Sequence, residues 1–229
     1  MNIALVHGMG GTASTWEAVA PVLRAHGHAV TAIENPLESL SGDVANTVRA
    51  IEAMKGPVLL VGHSYGGAVI TNAGNHQAVI GLVYVAAFGP DEGECVQDIV
   101  ERYPPAAASA YMKRGPAGEW ITDCDGDYWQ QIAWDLSPEQ RETVRRETRW
   151  TAAQVFTEQS GKPAWRQLPT WYVLAEDDRT LRPDTQGWMA KRMGATVTIV
   201  PGSHFAPRVH AAAVVDQIER AGTVALTVG

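Results

Sequence analysis

The 229-residue sequence predicts an α/β fold: a mostly parallel sheet of about six strands flanked by helices, with a helical insertion before the last two strands. Three observations predict it. Short β-branched runs alternate with helix-like stretches, the pattern of a covered parallel sheet. Glycines follow the first and third runs at once, in Gly8-Met9-Gly10-Gly11 and in Gly62-His63-Ser64-Tyr65-Gly66-Gly67. About eighty residues after Phe88 show no obvious strand, too long for a plain connection.

The expected strands lie near 2–6, 29–33, 57–62, 79–86, 169–175 and 195–200. Between the first two, Ser14 and Glu17 have the spacing of a capping box, Pro21 should bend the helix, and Gly27 should stop it. A second helix is expected from Tyr65 to Gly74 and another from Pro207 to Arg220. The tail from Thr223 to Val228 is β-prone. The insertion, about 91–168, holds Trp120, Trp129, Trp134, Trp150 and Trp165. It should form a cap whose clearest helix starts at Ser137-Pro138, with Gln140 completing a box. Its tryptophans either wall an apolar pocket or glue cap to core. Arg141, Arg145 and Arg149, interspersed with Glu142 and Glu147, read as a solvated face rather than an anion site.

Composition narrows the class. One domain spanning 1–229 suits the length. A net charge of −7 argues against a nucleic-acid partner. No stretch approaches the ~20 apolar residues that span a bilayer. Met1-Asn2 runs straight into the first strand, so a cytoplasmic protein is expected. Cys95 and Cys124 make neither a disulfide framework nor a metal site.

The chemistry concentrates at four turns. Strand 57–62, a sharp turn at Ser64 and a helix form a nucleophile elbow, in which Gly62 and Gly66 keep strand and helix from colliding. The next N–H, of Tyr65, points at a developing oxyanion, and the Gly8–Gly11 turn offers backbone donors for the same charge. A serine needs a base, and the base needs an orienting carboxylate. His204, in the loop after strand 195–200, is the candidate base; His7 and His63 read as scaffolding, and His26, His28, His76 and His210 as surface or packing groups. The carboxylate should come from Glu176-Asp177-Asp178, which position alone does not separate.

Serine, acid and histidine in that chain order match the α/β-hydrolase triad. The chain resembles α/β-hydrolase-fold serine esterases of the small, cofactor-free type, and is similar to bacterial esterase-like hydrolases and to the plant methylesterase and hydroxynitrile lyase group. The resemblance rests on His7-Gly8 with Trp16, Gly62 through Gly67, Tyr84-Val85-Ala86-Ala87-Phe88 with Pro90, Trp171-Tyr172 through Asp178, and Ser203-His204. It implies Asp178, followed by Arg179, as the acid and the Met9 N–H as the first oxyanion donor. Hydroxynitrile lyases carry threonine where this chain has Gly8 and lysine where it has Phe205, and haloalkane dehalogenases carry aspartate where it has Ser64. The expectation is therefore an enzyme without metal or organic cofactor that cleaves a small-molecule ester, lactone or thioester with an apolar part through an acyl-enzyme on Ser64. Two other readings use the same residues: a ligand-sensing receptor with a slow triad, and a biosynthetic acyltransferase or cyclase.

Overall fold

Residues 1–228 are described by the structure, a computed structural model. The chain opens with β1 (Asn2–Val6), a 3-10 turn at Ala13–Trp16, α1 (Ala20–Ala25) and β2 (Ala29–Ile33). Then come α2 (Leu40–Glu52), β3 (Val58–His63), α3 (Gly66–Ala73) and β4 (Val79–Val85). The insertion contains α4 (Val96–Glu101), β5 (Met112–Arg114), β6 (Trp120–Thr122), α5 (Tyr128–Gln131), α6 (Pro138–Glu147) and α7 (Gln154–Thr157). β7 (Thr170–Ala175), α8 (Pro183–Arg192), β8 (Thr196–Val200), α9 (Ala206–Val209) and α10 (Ala211–Val228) complete the chain.

The six-stranded sheet has the order β2-β1-β3-β4-β7-β8, with every pairing parallel. All carboxyl ends therefore share one edge, and the order reverses at β1, between β2 and β3. Crevices for ligands form at such switch points. Alternate residues of each strand feed the two cores. Ala4, Val6, Leu60 and Tyr84 pack with Ile51, Ala68 and Met189 of the helices on one face. Ile3, Leu5, Leu59, Val61 and Val83 pack with Leu23, Val214 and Ile218 on the other. The insertion has its own small cluster, built on Tyr128, Trp129, Ile132 and Leu136.

The six strands fall within a residue of the expected spans. Four local expectations need correction. The insertion is not purely helical: β5 and β6 pair antiparallel, and Trp120 bridges Thr151. Three-residue strands are too short to show a period of two. The capping box at Ser14 does not form, because Ser14 bonds Glu147 and Glu17 bonds Arg208; Thr12 instead accepts the Ser14 N–H at 3.3 Å. Pro21 sits in the first turn of α1 and starts that helix rather than bending it. The helix expected from Pro207 breaks at His210, and its second part runs on through the β-prone tail. Helical spacing of the buried Val214, Ile218, Ala221 and Ala225 overrides the local preference of Val224, which is exposed. The box at Ser137 and Gln140 forms as expected. Among the described residues no helix is long and apolar enough to cross a membrane.

Candidate active site

The turn after β3 leaves almost no room. A Cβ on Gly62 would lie 2.5 Å from the Gly66 carbonyl oxygen, and one on Gly66 would lie 2.4 Å from that of Val6. Glycine is required at both places. The strain collects on Ser64, whose φ of 53° is left-handed. Main-chain bonds hold it there: Val85 O accepts the Ser64 N–H at 3.3 Å, and Ser64 O accepts from Gly67 and Phe88, both at 3.0 Å. The Tyr65 side chain turns away, its hydroxyl donating to Asp43 Oδ2 at 2.8 Å. Burial raises the pKa of both groups. The Tyr65 N–H stays at the elbow with no hydrogen-bond partner among the described residues.

The loop from Gly8 to Thr12 lies directly against the elbow, since a Cβ on Gly8 would meet Ser64 Cβ at 2.7 Å. Gly11 N–H donates to Gly8 O at 3.3 Å and Gly10 N–H to Thr151 Oγ1 at 2.9 Å, while the Met9 N–H has no partner among the described residues. His7 braces the loop from behind, donating from Nδ1 to Gly8 O at 2.8 Å and accepting the Asn35 N–H on Nε2 at 3.0 Å. These bonds define a neutral ring, and burial lowers its pKa.

Asp178 and His204 follow β7 and β8 and meet at the sheet edge. His204 Nδ1 donates to Asp178 Oδ2 at 2.6 Å. The same carboxylate accepts N–H bonds from Thr180 (2.7 Å) and Leu181 (2.9 Å) on Oδ1 and the Gln186 amide (2.8 Å) on Oδ2. Such a set fixes the carboxylate and leaves His204 Nε2 to face elsewhere. Asp177 is exposed and only takes the Gly202 N–H at 3.2 Å. His63 donates from Nε2 to the His204 carbonyl at 2.8 Å, with the two rings 4.7 Å apart. Burial first, and then the neighbouring His204, push the His63 pKa well below its usual value.

Ser64, His204 and Met9 line one cavity of about 600 Å³. Its walls are chiefly apolar: Phe88 and Phe205 from the core, and Val96, Met112, Tyr128, Val144 and Phe156 from the insertion. The cation on its wall, Arg208, is buried and paired with Glu17 and Ser14, with Glu147 at 3.8 Å. Burial raises the Glu147 pKa, but bonds from Ser14, Arg146 and Thr12 and the Arg208 charge outweigh it and hold the carboxyl below its usual range. The cavity thus offers no unbalanced positive charge to a substrate.

Sequence reasoning missed three groups. Gln186, fully buried, ties Asp178 to the Ala175 N–H. Asp135 accepts Ser203 N–H at 2.7 Å and its hydroxyl at 2.6 Å, just before His204. Thr151 holds Gly10. The tryptophan alternative resolves toward glue, since none of the five lines the cavity. Trp129 and Trp165 are buried in packing, Trp134 lies under the Arg179 guanidinium at 4.6 Å, Trp120 meets the edge of Phe156, and Trp150 is exposed. Nor is Arg149 a solvated residue: its guanidinium bonds Gly11 O at 2.8 Å, Asn35 O at 2.6 Å and Glu34 at 2.7 Å.

A serine on a strained strand-to-helix turn beside an Asp–His pair is the arrangement of a nucleophilic hydrolase. The Alpha/beta hydrolase family profile matches residues 3–217. The chain is 25% identical to Methylesterase 2 of Arabidopsis thaliana over 235 residues, covering 86% of each chain. It is 34% identical over 130 residues to the carbendazim hydrolyzing esterase of Nocardioides sp. (strain SG-4G), covering 50% of this chain and 53% of that one. A pyrethroid hydrolase from Sphingobium faniae JZ-2 superposes with a TM-score of 0.78 at 20% identity, over 96% of this chain and 97% of that one. The chain belongs to the α/β-hydrolase family. It is an enzyme of the hydrolase class.

Proposed function

We propose that the protein hydrolyses a carboxylic ester of a small, uncharged and largely apolar molecule through an acyl-enzyme on Ser64. The observation that carries this reading is the 2.6 Å bond from His204 Nδ1 to Asp178 Oδ2, with His204 lining the same apolar cavity as Ser64. With Nδ1–H committed to Asp178, Nε2 of the neutral ring has the lone pair that takes the Ser64 hydroxyl proton. Oγ attacks the ester carbonyl carbon, and the oxygen that becomes negative is met by the N–H groups of Met9 and Tyr65. The N-terminal end of α3 favours the same charge. His204 returns the proton to the leaving alcohol oxygen as the acyl bond breaks. A water then gives its proton to His204 and attacks the acyl carbon, and Ser64 is restored as the acid departs.

The insertion serves as a cap, its apolar side chains walling the site against bulk water. Relatives named as a methylesterase, a carbendazim hydrolyzing esterase and a pyrethroid hydrolase support a small-molecule ester rather than a polymer. A fluorophosphonate probe should label the protein on Ser64 alone, and Ser64→Ala should abolish both labelling and turnover of activated esters. Recovery of the probe on Ser203, or unchanged turnover by the variant, would overturn the assignment.

A further inference from the structure

We infer that two residues of the cap, Thr151 and Asp135, are positioning residues for the reaction: each fixes, from outside the cavity, a loop that carries a reacting group. The inference rests on the acyl-enzyme reading above. Neither side chain lines the cavity, so neither is placed to touch a substrate.

Thr151 acts on the oxyanion side. Between Gly8 and Thr12 the chain has no regular structure, and its peptide planes are oriented only by what bonds them. Gly10 N–H is held by Thr151 Oγ1 at 2.9 Å, and Gly10 O by the Arg149 N–H at 3.1 Å. Thr151 is itself fully buried and anchored by two main-chain bonds to Trp120, each 2.7 Å. The peptide that contains Gly10 N–H adjoins the one that contains Met9 N–H. Removing the hydroxyl frees the first plane to turn and so loosens the second. Oxyanion donors act because they are aimed before the charge appears.

Asp135 acts on the base side. Its two oxygens take both donors of Ser203, which is fully buried and immediately precedes His204. The segment that presents Asp135 is strapped to the acid loop as well: Arg179, the residue after Asp178, donates to Gln131 O at 2.8 Å and lies over Trp134. One short stretch of the cap thereby grips the residue after the acid and the residue before the base. It sets their separation from outside the sheet.

The test compares wild type with Thr151→Val, Thr151→Ser, Asp135→Ala and Asp135→Asn on one activated ester, with melting temperatures and inhibition by a trifluoromethyl ketone that adds to Ser64 as a tetrahedral alkoxide. Thr151→Val should lower kcat about 10- to 100-fold with KM within about two-fold, and weaken ketone inhibition by a similar factor, because aim and not substrate binding is lost. Thr151→Ser keeps the acceptor and should restore both. Asp135→Ala should lower kcat at unchanged KM, and Asp135→Asn, which still bonds Ser203, should recover most of it. Folded Val and Ala variants with wild-type kcat overturn the inference. So do losses that follow melting temperature alike in the conservative and non-conservative variants. Should Thr151→Val fail to fold, the Asp135 pair decides the matter. A wild-type protein that is neither labelled at Ser64 nor active on any ester overturns the acyl-enzyme reading itself, a result distinct from both.

Discussion

The sheet and the cap hold the site by different means. On the sheet side Ser64 is fixed by its own neighbourhood: strand β3, the glycines at 62 and 66, and main-chain bonds to Val85 and Phe88. On the cap side the holding is done by side chains far away in sequence, Asp135 on Ser203, Arg149 on Gly11 and Thr151 on Gly10. Backbone geometry shapes the turn at Ser64; long-range polar contacts align what surrounds it. A turn defined by sterics tolerates little variation in residue type, whereas a side-chain clamp is made by whichever polar residue reaches.

The sharpest way to break this comparison lies in the acid loop. Asp178→Asn should lower kcat by about 10⁴, because the amide no longer favours the Nδ1–H tautomer of His204. Asp177→Asn, whose carboxylate is exposed, should stay within about two-fold of wild type; steady-state rates on one activated ester decide it, and a reversal of the two would mean that a neighbouring clamp, not the triad geometry, sets the rate. Next in size, Trp129→Ala or Trp165→Ala should destabilise the fold by about 3–5 kcal/mol without changing the order of preferred esters. Phe156→Ala and Val144→Ala, on the cavity wall, should reorder that preference. Urea unfolding together with an ester panel reads both, and altered selectivity in the tryptophan variants would return them to the pocket.

The smallest expected effect is one of pH. His63 and His7 are held neutral by burial, so their folded pKa values lie below the unfolded value near ~6.5. Between those values the unfolded chain binds more protons, and stability must fall as pH falls below about 6.5, by up to about 1.4 kcal/mol per pH unit for each such ring. His63→Gln keeps a donor for the His204 carbonyl and removes the titration. Its unfolding free energy should decline less steeply between pH 6.5 and 5 (about one proton's worth) than that of wild type. Equal slopes would mean that the His63 ring is charged in the fold.

Much of the fold was legible in the sequence because it is local. Six apolar runs became six strands, and the glycine at 62 is dictated within a single turn, whereas the one at 66 is forced by the Val6 carbonyl of β1. The trio Ser64, Asp178 and His204, drawn from three such loops, is brought together at one edge, although chain position did not distinguish Asp178 from Asp177. What was hidden depends on contacts across the chain. Gln186 is an ordinary helix residue until its amide reaches Asp178, eight positions earlier. Ser14 and Glu17 have the spacing of a capping box, yet their bonds go to Glu147 and Arg208. The richness of the insertion in tryptophan was plain, but composition carries no information on which way a side chain faces, and the pocket took the smaller apolar residues instead.

The pairing of β4 with β7, in which Leu82 meets Thr170 across the whole insertion, has a consequence for how the protein is made. Strands β1 to β4 pair among themselves, so a nascent chain can assemble four strands and the turn at Ser64 while the rest is still being synthesised. At ordinary elongation rates roughly seven to thirty seconds separate the emergence of Ser64 from that of His204. For that interval the half-made sheet carries the left-handed turn at Ser64 without the loop of His204 across from it. The loops that carry Asp178 and His204 follow β7 and β8, so the arrangement around Ser64 is assembled only after both have emerged.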